Sequence, residues 1–374
     1  MKSYLFLSML LVLFGCDGKN YNDSEENSID LEYGFNNPTN GDSSDFIKDP
    51  SVLALQTTPH SLLGPRSHVV YADASDIFIV SSDKIYRFDA DGHFLNQVGI
   101  RGNGPYEHSN IYNVDVSPES REVYIYSGDN HMIVRDYSGE PVNDFHFSTS
   151  GILTFADVVG DRIVGEVRDY GKDGSLKVEM KWFGLNGEEI SSIPLHEYPS
   201  HEVSYSGVPI TYHYGNNIAY KDMFDRTSYL CTPDSIIAHT VYNLGTLTPD
   251  RETLEDMDLR KSRAGRYAEI VDIQEDELNS YVLAVKGDLL YGFVVDKNSG
   301  KFHFSNKIDP PQKGGGIELE GLEEIKIWPS YVDRRFTKYS LVEIDPRDTL
   351  LLSEIKGNSV PFSREPNPVL ITYR

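Results

Sequence analysis

Cysteine is almost absent from this chain, whose 374 residues include only Cys16 and Cys231. Two cysteines cannot build the disulfide framework of a small secreted protein, so the fold must depend on a hydrophobic core. Cys231 follows Tyr229 and Leu230 in a strand-like run, and no histidine or asparagine context accompanies it. We therefore expect Cys231 to be a small buried hydrophobe and not a catalytic nucleophile.

Positive charge is scarce as well. The chain has 34 lysines and arginines against 58 aspartates and glutamates, a formal net charge of −24 at pH 7. Nucleic-acid binders need a basic surface, so the composition excludes that class of partner. The two basic clusters, at residues 260–266 and at Arg334-Arg335, lie among acidic neighbours and are interpreted as solvated surface charge.

A long apolar run is also missing. The main apolar stretch, "YLFLSMLLVLF" at residues 4–14, is too short to cross a bilayer core of roughly 30 Å as a helix. Following Lys2, it has the length and flanks of a secretory signal peptide. The next residues, Leu13-Phe14-Gly15-Cys16, resemble the bacterial lipobox, which implies cleavage after residue 15 and acylation of Cys16. The sequence thus predicts an exported protein whose membrane partner is reached through a lipid anchor, with the outer membrane as the expected location.

Residues 16–50 are rich in Asp, Glu, Asn, Ser and Gly and contain little apolar surface. Such a composition does not offset the entropy lost on ordering, so we predict a disordered acidic tether after the lipidated cysteine. The folded domain is then expected at residues 51–374, and its core must form without a disulfide because an acylated Cys16 cannot pair with Cys231.

What is present from residue 51 onward is a repeat. Five strand-like hairpins follow one another, and the first four turns lie roughly 47 residues apart, a spacing typical of four-stranded propeller blades. The glycines in these turns favour tight hairpins because glycine accepts a positive φ. The turns are centred on Gly92, Gly139, Gly187, Asp234 and Gly300.

The two ends of the domain supply a sixth blade. Strand-like residues 52–55 have no blade of their own, and the chain ends in another strand, "NPVLITYR". Since open sheet edges invite aggregation, we predict that residues 52–55 pair with residues 369–373 and close the ring. The predicted fold is therefore all-β, a six-bladed propeller of four-stranded antiparallel blades.

One interval between turns is longer than the others by about 19 residues, and the surplus is helical in pattern. Residues 248–265 begin with Thr248 as a potential cap and Pro249 in the first turn. We predict a helical insertion there, either a structural cover or a lid that binds a partner.

The stretch "GIRGNGPYEHSN", residues 99–110, has the glycines of a phosphate-binding loop but no helix after them. A dinucleotide fingerprint requires a strand, the glycines and then a helix, so we interpret this segment as a crossing between blades.

No motif for hydrolysis or metal binding is present: G-x-S-x-G and H-E-x-x-H are both missing. Asp89 and Asp91, and likewise Asp296 and Asn298, resemble fragments of calcium loops, but both pairs occur where a hairpin needs its turn. A zinc site at His213 would need further ligands, and the nearby His196 and His201 lie in a loop rich in proline and serine, which disfavours such a site. No cofactor is expected, and calcium in a central tunnel stays open because such a site draws single residues from several blades.

Candidate ligand-binding residues form an aromatic–histidine patch around "TYHYG" and a polar pair in the glycine-rich crossing. Aromatic faces pack well against sugars and peptides, although packing within the core is the default interpretation. The candidates are Tyr205, Tyr212, His213, Tyr214, Arg101 and His108.

Taken with the lipobox, the segments "IYRFDADGHFLNQVGIRGNGPYEHSNI" and "NPVLITY" resemble the uncharacterised six-bladed propeller lipoproteins of Bacteroides-type bacteria. Relatives often carry a G-x-G-P-G-E-Y-like loop, from which residues 102–108 depart after Pro105. More distantly, the blades resemble NHL-type and TolB-like propellers, which mostly bind partners. The resemblance implies a binding module for a glycan, a peptide or a membrane protein; a calcium-dependent lactonase-like hydrolase and a scaffold for an outer-membrane complex are the alternatives.

Overall fold

In the computed structural model, six antiparallel sheets form a ring, which confirms the predicted six-bladed propeller. The structure describes residues 28–64, 66–173, 175–198, 209–222, 225–250, 252–253, 256–263, 265–311, 315–319, 322–343 and 367–374. The first strand of each blade lies nearest the axis, where it contacts the first strands of other blades. Within the described residues, no helix combines the length and apolar character needed to cross a membrane.

Blades 1 to 3 follow each other in sequence, and each runs from the axis to the rim. Blade 1 comprises His68–Ala72, Asp76–Ser81, Lys84–Asp89 and Phe94–Val98; blade 2 comprises Asn113–Ser117, Glu122–Gly128, His131–Asp136 and Pro141–His146; blade 3 comprises Asp157–Val159, Arg162–Tyr170, Leu176–Gly184 and Glu189–Tyr198, with Ile152–Leu153 also paired to its second strand.

Blades 4 to 6 complete the ring. Blade 4 comprises Ile210–Tyr214, Asn217–Lys221, Thr227–Cys231 and Ile236–Asn243; blade 5 comprises Ala268–Glu275, Asn279–Lys286, Leu289–Asp296 and Phe302–Lys307; blade 6 comprises Tyr331–Val332, Lys338–Val342, Val369–Tyr373 and Ser51–Ala54. A small hairpin of Ile317–Leu319 and Leu322–Ile327, which the sequence analysis did not predict, lies between blades 5 and 6 in the chain.

The ring closes as predicted. Val369–Tyr373 pairs antiparallel with Ser51–Ala54, so that Leu370 lies opposite Leu53 and Ile371 opposite Val52. The first and last strands of the domain therefore belong to one sheet, which leaves no gap in the ring.

The core consists of side chains packed between neighbouring blades. Phe78 of blade 1 meets the ring of Tyr137 of blade 2 edge-on, with centroids 4.8 Å apart. Trp182 of blade 3 is fully buried, and its indole N–H donates to the carbonyl of Thr232 beside blade 4. Because aromatic side chains bury large areas, contacts of this kind hold the blades face to face without disulfides.

The predicted hairpin turns are confirmed. Each of the five marker residues lies between the third and fourth strands of a blade. Gly92, Gly139 and Gly187 have φ angles of 84°, 92° and 81°, which side chains rarely adopt. The segment "SLVEIDPRDTLLLSEI" predicts a further turn at Asp345-Pro346, which lies outside the described residues.

The prediction of a disordered tether is wrong for residues 28–50. Ser28–Asp30 forms a parallel strand on the rim of blade 4, Leu31–Asn36 is a short helix, and Thr39–Asn40 extends the rim of blade 5 before the 3-10 turn Ser43–Asp45. Leu31 is fully buried and Ile29 nearly so. These few apolar side chains anchor an otherwise polar segment, which covers two exposed sheet edges. Residues 1–27, including Cys16, lie outside the described residues.

The predicted helical insertion at residues 248–265 contains helical residues at 252–253 and the α-helix Met257–Arg263. Thr248 is extended and forms the C-terminal cap of the 3-10 turn Gly245–Leu247, its amide N–H donating to the carbonyl of Gly245. Asp256 caps this helix by accepting the amide N–H groups of Asp258 and Leu259. Aspartates therefore supply the caps in this insertion, since Asp250 also accepts the amide N–H of Thr253.

Candidate functional site

Loops gather at the two ends of the propeller. The turns between first and second strands, and those between third and fourth strands, lie at one end, which we call the turn face. The crossings between blades and the remaining turns lie at the opposite end. Chemically reactive side chains of the first strands converge at the axis toward the turn face.

Three side chains from different blades fill the axis. Asp115 of blade 2 is 1% exposed, and its Oδ1 lies 3.2 Å from Nε2 of His213 of blade 4. The His213 ring lies 5.9 Å from that of Tyr331 of blade 6, a buried residue whose hydroxyl has no partner among the described residues. The axis at this level is thus packed with side chains and is not an open tunnel.

A second carboxylate lies beside the first. Asp115 accepts the amide N–H of Val158 at 2.6 Å, and Asp157 accepts the side-chain N–H of Asn113 at 2.5 Å, so these residues link blades 2 and 3. Burial and the negative charge of Asp115 raise the pKa of Asp157 to about 7. Although burial opposes its charge, the carboxylates of Asp115 and Asp157 hold the pKa of His213 above its ordinary value.

The turn between the first two strands of blade 6, residues 333–337, covers this axial cluster, and we call it the strap. Arg334 Nη1 lies 2.5 Å from Oε1 of Glu119 of blade 2. The ring of Phe336 lies 5.4 Å from that of Tyr214 of blade 4. Phe336 has a φ of 63°, an unusual conformation for a side chain of its size, so the tertiary contacts must stabilise it.

Beside the strap, a cavity of about 190 Å³ opens between blades 4 and 5, which we call the blade 4/5 pocket. One wall comes from the N-terminal strand Ser28–Asp30 through Ile29. The other walls come from blade 4, through the end of its first strand and its fourth strand, and from two turns of blade 5. The lining residues are Ile29, Tyr214, His239, Thr240, Glu277, Lys297 and Asn298.

A buried carboxylate organises this pocket. Glu275 is 0% exposed, and its Oε2 accepts Nε2–H of His239 at 2.5 Å and lies 3.7 Å from Nζ of Lys297. Burial opposes ionisation of Glu275, but the hydrogen bond from His239 and the charge of Lys297 lower its pKa. Tyr242 also donates its hydroxyl to Glu275, at 2.6 Å. The carboxylate therefore stays ionised and fixes the orientation of His239.

Lys297 and Tyr214 face each other across the pocket. The Lys297 ammonium lies 4.4 Å from the centre of the Tyr214 ring and donates to its hydroxyl at 3.2 Å. The ring of His239 lies 4.7 Å from the same tyrosine. Three side chains from two blades thus present polar atoms to one small space.

The structure separates the predicted aromatic–histidine patch. Alternation along Ile210–Tyr214 places His213 on the face opposite Tyr212 and Tyr214, toward the axis. Tyr212 lies in the core between blades, and Tyr214, at the end of the strand, lines the pocket. Tyr205 and His201 lie outside the described residues. His239, Glu275 and Lys297 were not predicted, since nothing in the sequence marks residues that only strand register brings together.

Arg101 and His108 maintain the crossing from blade 1 to blade 2, as the interpretation of residues 99–110 predicts. Arg101 pairs with Asp83 at 2.6 Å, and the fully buried His108 contacts the Asp83 carbonyl at 2.9 Å. Glu107 accepts the amide N–H of Gly104. The contacts of Arg101 and His108 tie the crossing to the turn of blade 1 that contains Asp83.

The calcium-like fragments act as turns. Asp89 accepts the amide N–H groups of Asp91 and His93, and Asp296 accepts that of Ser299 at 2.7 Å. Asp89, Asp91 and His93 do lie close enough together to hold an ion, although all are at least partly exposed. Asn298 contributes to the blade 4/5 pocket, and His196 belongs to the rim strand of blade 3.

Cys231 is fully buried, and burial raises the pKa of its thiol, as expected for a structural residue.

A larger groove, about 430 Å³, lies at the rim between the N-terminal segment and the hairpin before blade 6. Its charged lining residues include Asp42, Lys307 and Glu318, all exposed to solvent. The blade 4/5 pocket is the stronger candidate, because its polar groups are oriented by a buried charge.

The fold has relatives among solved structures. A Bacteroides fragilis protein that carries the name of an exported protein matches with a TM-score of 0.68 at 16% identity, covering 93% of this chain and 98% of its own. A Bacteroides vulgatus member of the DUF4221 family matches with a TM-score of 0.46 at 10% identity, covering 87% and 96%. No curated protein matches the sequence. The model of the family called Domain of unknown function (DUF4934) matches residues 26–374, and the chain belongs to that family.

Proposed function

We propose that this protein is a lipid-anchored binding module of the outer membrane that captures a small polar part of a glycan or peptide at its turn face. The blade 4/5 pocket is the observation that carries the proposal: His239 and Lys297 converge on the buried Glu275 beside an aromatic ring. Pre-oriented polar groups in a concave site are what ligand recognition requires.

Export and anchoring rest on separate support. The signal-like residues 4–14 and the lipobox-like residues 13–16 favour acylation of Cys16. The B. fragilis neighbour, which carries the name of an exported protein, agrees with export. Replacing Cys16 with Ser should shift the protein from the membrane to the soluble fraction, while an unchanged distribution would contradict the anchor.

Binding is tested by a thermal-shift screen of the purified chain against soluble glycans and peptides. A ligand selective for the folded state raises Tm. Each hit is then measured by calorimetry on the wild type, on Lys297→Met and on Lys301→Met. Lys301 serves as the matched control, because it lies in the same turn of blade 5 but is 65% exposed. Hits that bind Lys297→Met as tightly as the wild type would contradict a site in this pocket.

A hydrolase that uses calcium near the axis is the second candidate, and the convergence of Asp115, Asp157 and Asn113 favours it. These side chains supply the oxygen atoms that calcium prefers. The filled axis disfavours it, since His213 and Tyr331 occupy the space that a substrate would need. Elemental analysis that finds one tightly held calcium per chain, lost in Asp157→Asn, would support this candidate.

A further inference from the structure

We infer that the blade 4/5 pocket recognises an uncharged sugar through two adjacent hydroxyl groups, not a peptide or an acidic sugar. The inference rests on the proposed function and specifies the ligand class of the same site. Its basis is the set of donors and acceptors that the pocket walls present.

The acceptor comes from His239. Nε2–H of its ring donates to Glu275 at 2.5 Å, so Nδ1 is the ring nitrogen that does not take part in this bond. The ammonium of Lys297 lies 3.7 Å from the Glu275 carboxylate and already balances its negative charge. A positive charge on the His239 ring is therefore not required. A neutral imidazole with Nε2 protonated has a lone pair on Nδ1, which accepts a hydrogen bond.

The donors come from Lys297 and Tyr214. Because Lys297 donates to the Tyr214 hydroxyl at 3.2 Å, that oxygen acts as an acceptor and directs its own hydrogen elsewhere. The ammonium has two further N–H groups. The pocket therefore combines at least two donors with one acceptor. A hydroxyl group both donates and accepts, so two neighbouring hydroxyls complement this set.

The charges of the pocket favour an uncharged ligand. The lining carries charges of both signs, the ammonium of Lys297 and the exposed carboxylate of Glu277. A carboxylate ligand would meet that negative charge, and an ammonium ligand would meet Lys297. Neutral hydroxyl groups avoid both repulsions.

The size of the pocket agrees with a single sugar ring. Its 190 Å³ is smaller than the roughly 300–1,000 Å³ of sites that enclose drug-sized ligands. A longer glycan would place one residue in the pocket and extend along the turn face.

The inference is tested by calorimetry with three probe sets: neutral methyl hexopyranosides with their mono-deoxy analogues, the matching hexuronates, and tri-alanine. We expect at least one neutral hexoside to bind, and its mono-deoxy analogue to bind about tenfold more weakly when the removed hydroxyl contacts the pocket.

Two variants separate this role from a structural one. His239→Gln keeps a donor toward Glu275, and should bind the hexoside about tenfold more weakly. Tyr214→Phe removes only the hydroxyl and should weaken binding severalfold. The control His60→Gln, at an exposed histidine in the crossing from blade 6 to blade 1, should bind like the wild type.

Tighter binding of a hexuronate or of tri-alanine, sensitive to Lys297→Met, would overturn the sugar assignment while leaving the proposed function intact. A hexoside affinity that is unchanged in His239→Gln would overturn it too. If no probe and no member of the wider screen binds, both the inference and the proposed function fail.

Discussion

Arg334 of blade 6 and Glu119 of blade 2 form an ion pair over the inner end of blade 1, with Nη1 and Oε1 2.5 Å apart. Glu119 is 70% exposed and Arg334 is 28% exposed, so solvent screens the pair. An exposed pair contributes at most about 1 kcal/mol to stability. Its consequence is local: it holds one end of the strap, while Phe336 holds the other against Tyr214.

Arg334→Met should therefore loosen the strap without unfolding the propeller. We expect faster amide hydrogen exchange in residues 333–337 and a change in global stability below about 1 kcal/mol. Hydrogen exchange followed by mass spectrometry measures the first, and urea unfolding the second. Arg335→Met, in the same turn, is the control; equal effects of both variants on exchange would show that the ion pair does not hold the strap.

Leu370→Ala tests the closure of the ring. Leu370 is fully buried and pairs with Leu53 between the terminal strands of the domain, so its truncation should destabilise the protein by about 2–5 kcal/mol. Leu95→Ala, at a rim leucine that is 44% exposed, should change stability far less. Equal urea midpoints for the two variants would contradict a closure that depends on this strand pair.

Leu31→Ala tests whether the N-terminal segment belongs to the folded body. Leu31 is buried in a cluster with Tyr242 and Phe293 of blades 4 and 5, and its truncation should also cost about 2–5 kcal/mol. The exposed Leu62 provides the matched Leu→Ala control. A stability equal to that of the wild type would mean that residues 28–50 behave as the tether that their composition suggests.

The architecture was predictable because propeller blades repeat the same local chemistry. Glycines such as Gly92 and Gly139 mark turns that need a positive φ, and their regular spacing counts the blades. The closure followed from leftover strands at both ends. Composition failed at residues 28–50, because an average over the segment hides single apolar residues such as Ile29 and Leu31, which the rims of blades 4 and 5 bury.

The candidate site was less predictable. Of its central residues, only Tyr214 was identified, and it was grouped with Tyr212, which is buried in the core on the same face, and with His213, which strand alternation directs to the opposite face. His239 and Glu275 lie on different blades, and they meet only because the two sheets pack side by side. A single sequence carries the local periodicity of each strand, but not the register between sheets on which such a pair depends.

Asp272→Asn should remove the part of the pH dependence of stability that arises from this buried carboxyl. Burial raises the pKa of Asp272 in blade 5 from its ordinary value of 3.8 to about 6. Between these values the folded protein holds a proton that the unfolded chain releases, so this group stabilises the fold below pH 4, and the contribution is lost as pH rises through 6. Asparagine stays neutral at all these pH values. The variant should match the wild type near pH 4 and exceed it at pH 8 by roughly 1–2 kcal/mol.

Urea unfolding of wild type and Asp272→Asn across pH 4–8 measures this difference. Asp161→Asn is the control, because Asp161 is 86% exposed in the turn between the first two strands of blade 3, and its removal should leave the curve parallel to that of the wild type. An Asp272→Asn curve that also runs parallel would show that the carboxyl of Asp272 ionises as readily in the folded protein as in the unfolded chain. That outcome would mean that the groups packed around Asp272 do not shield its carboxyl from water.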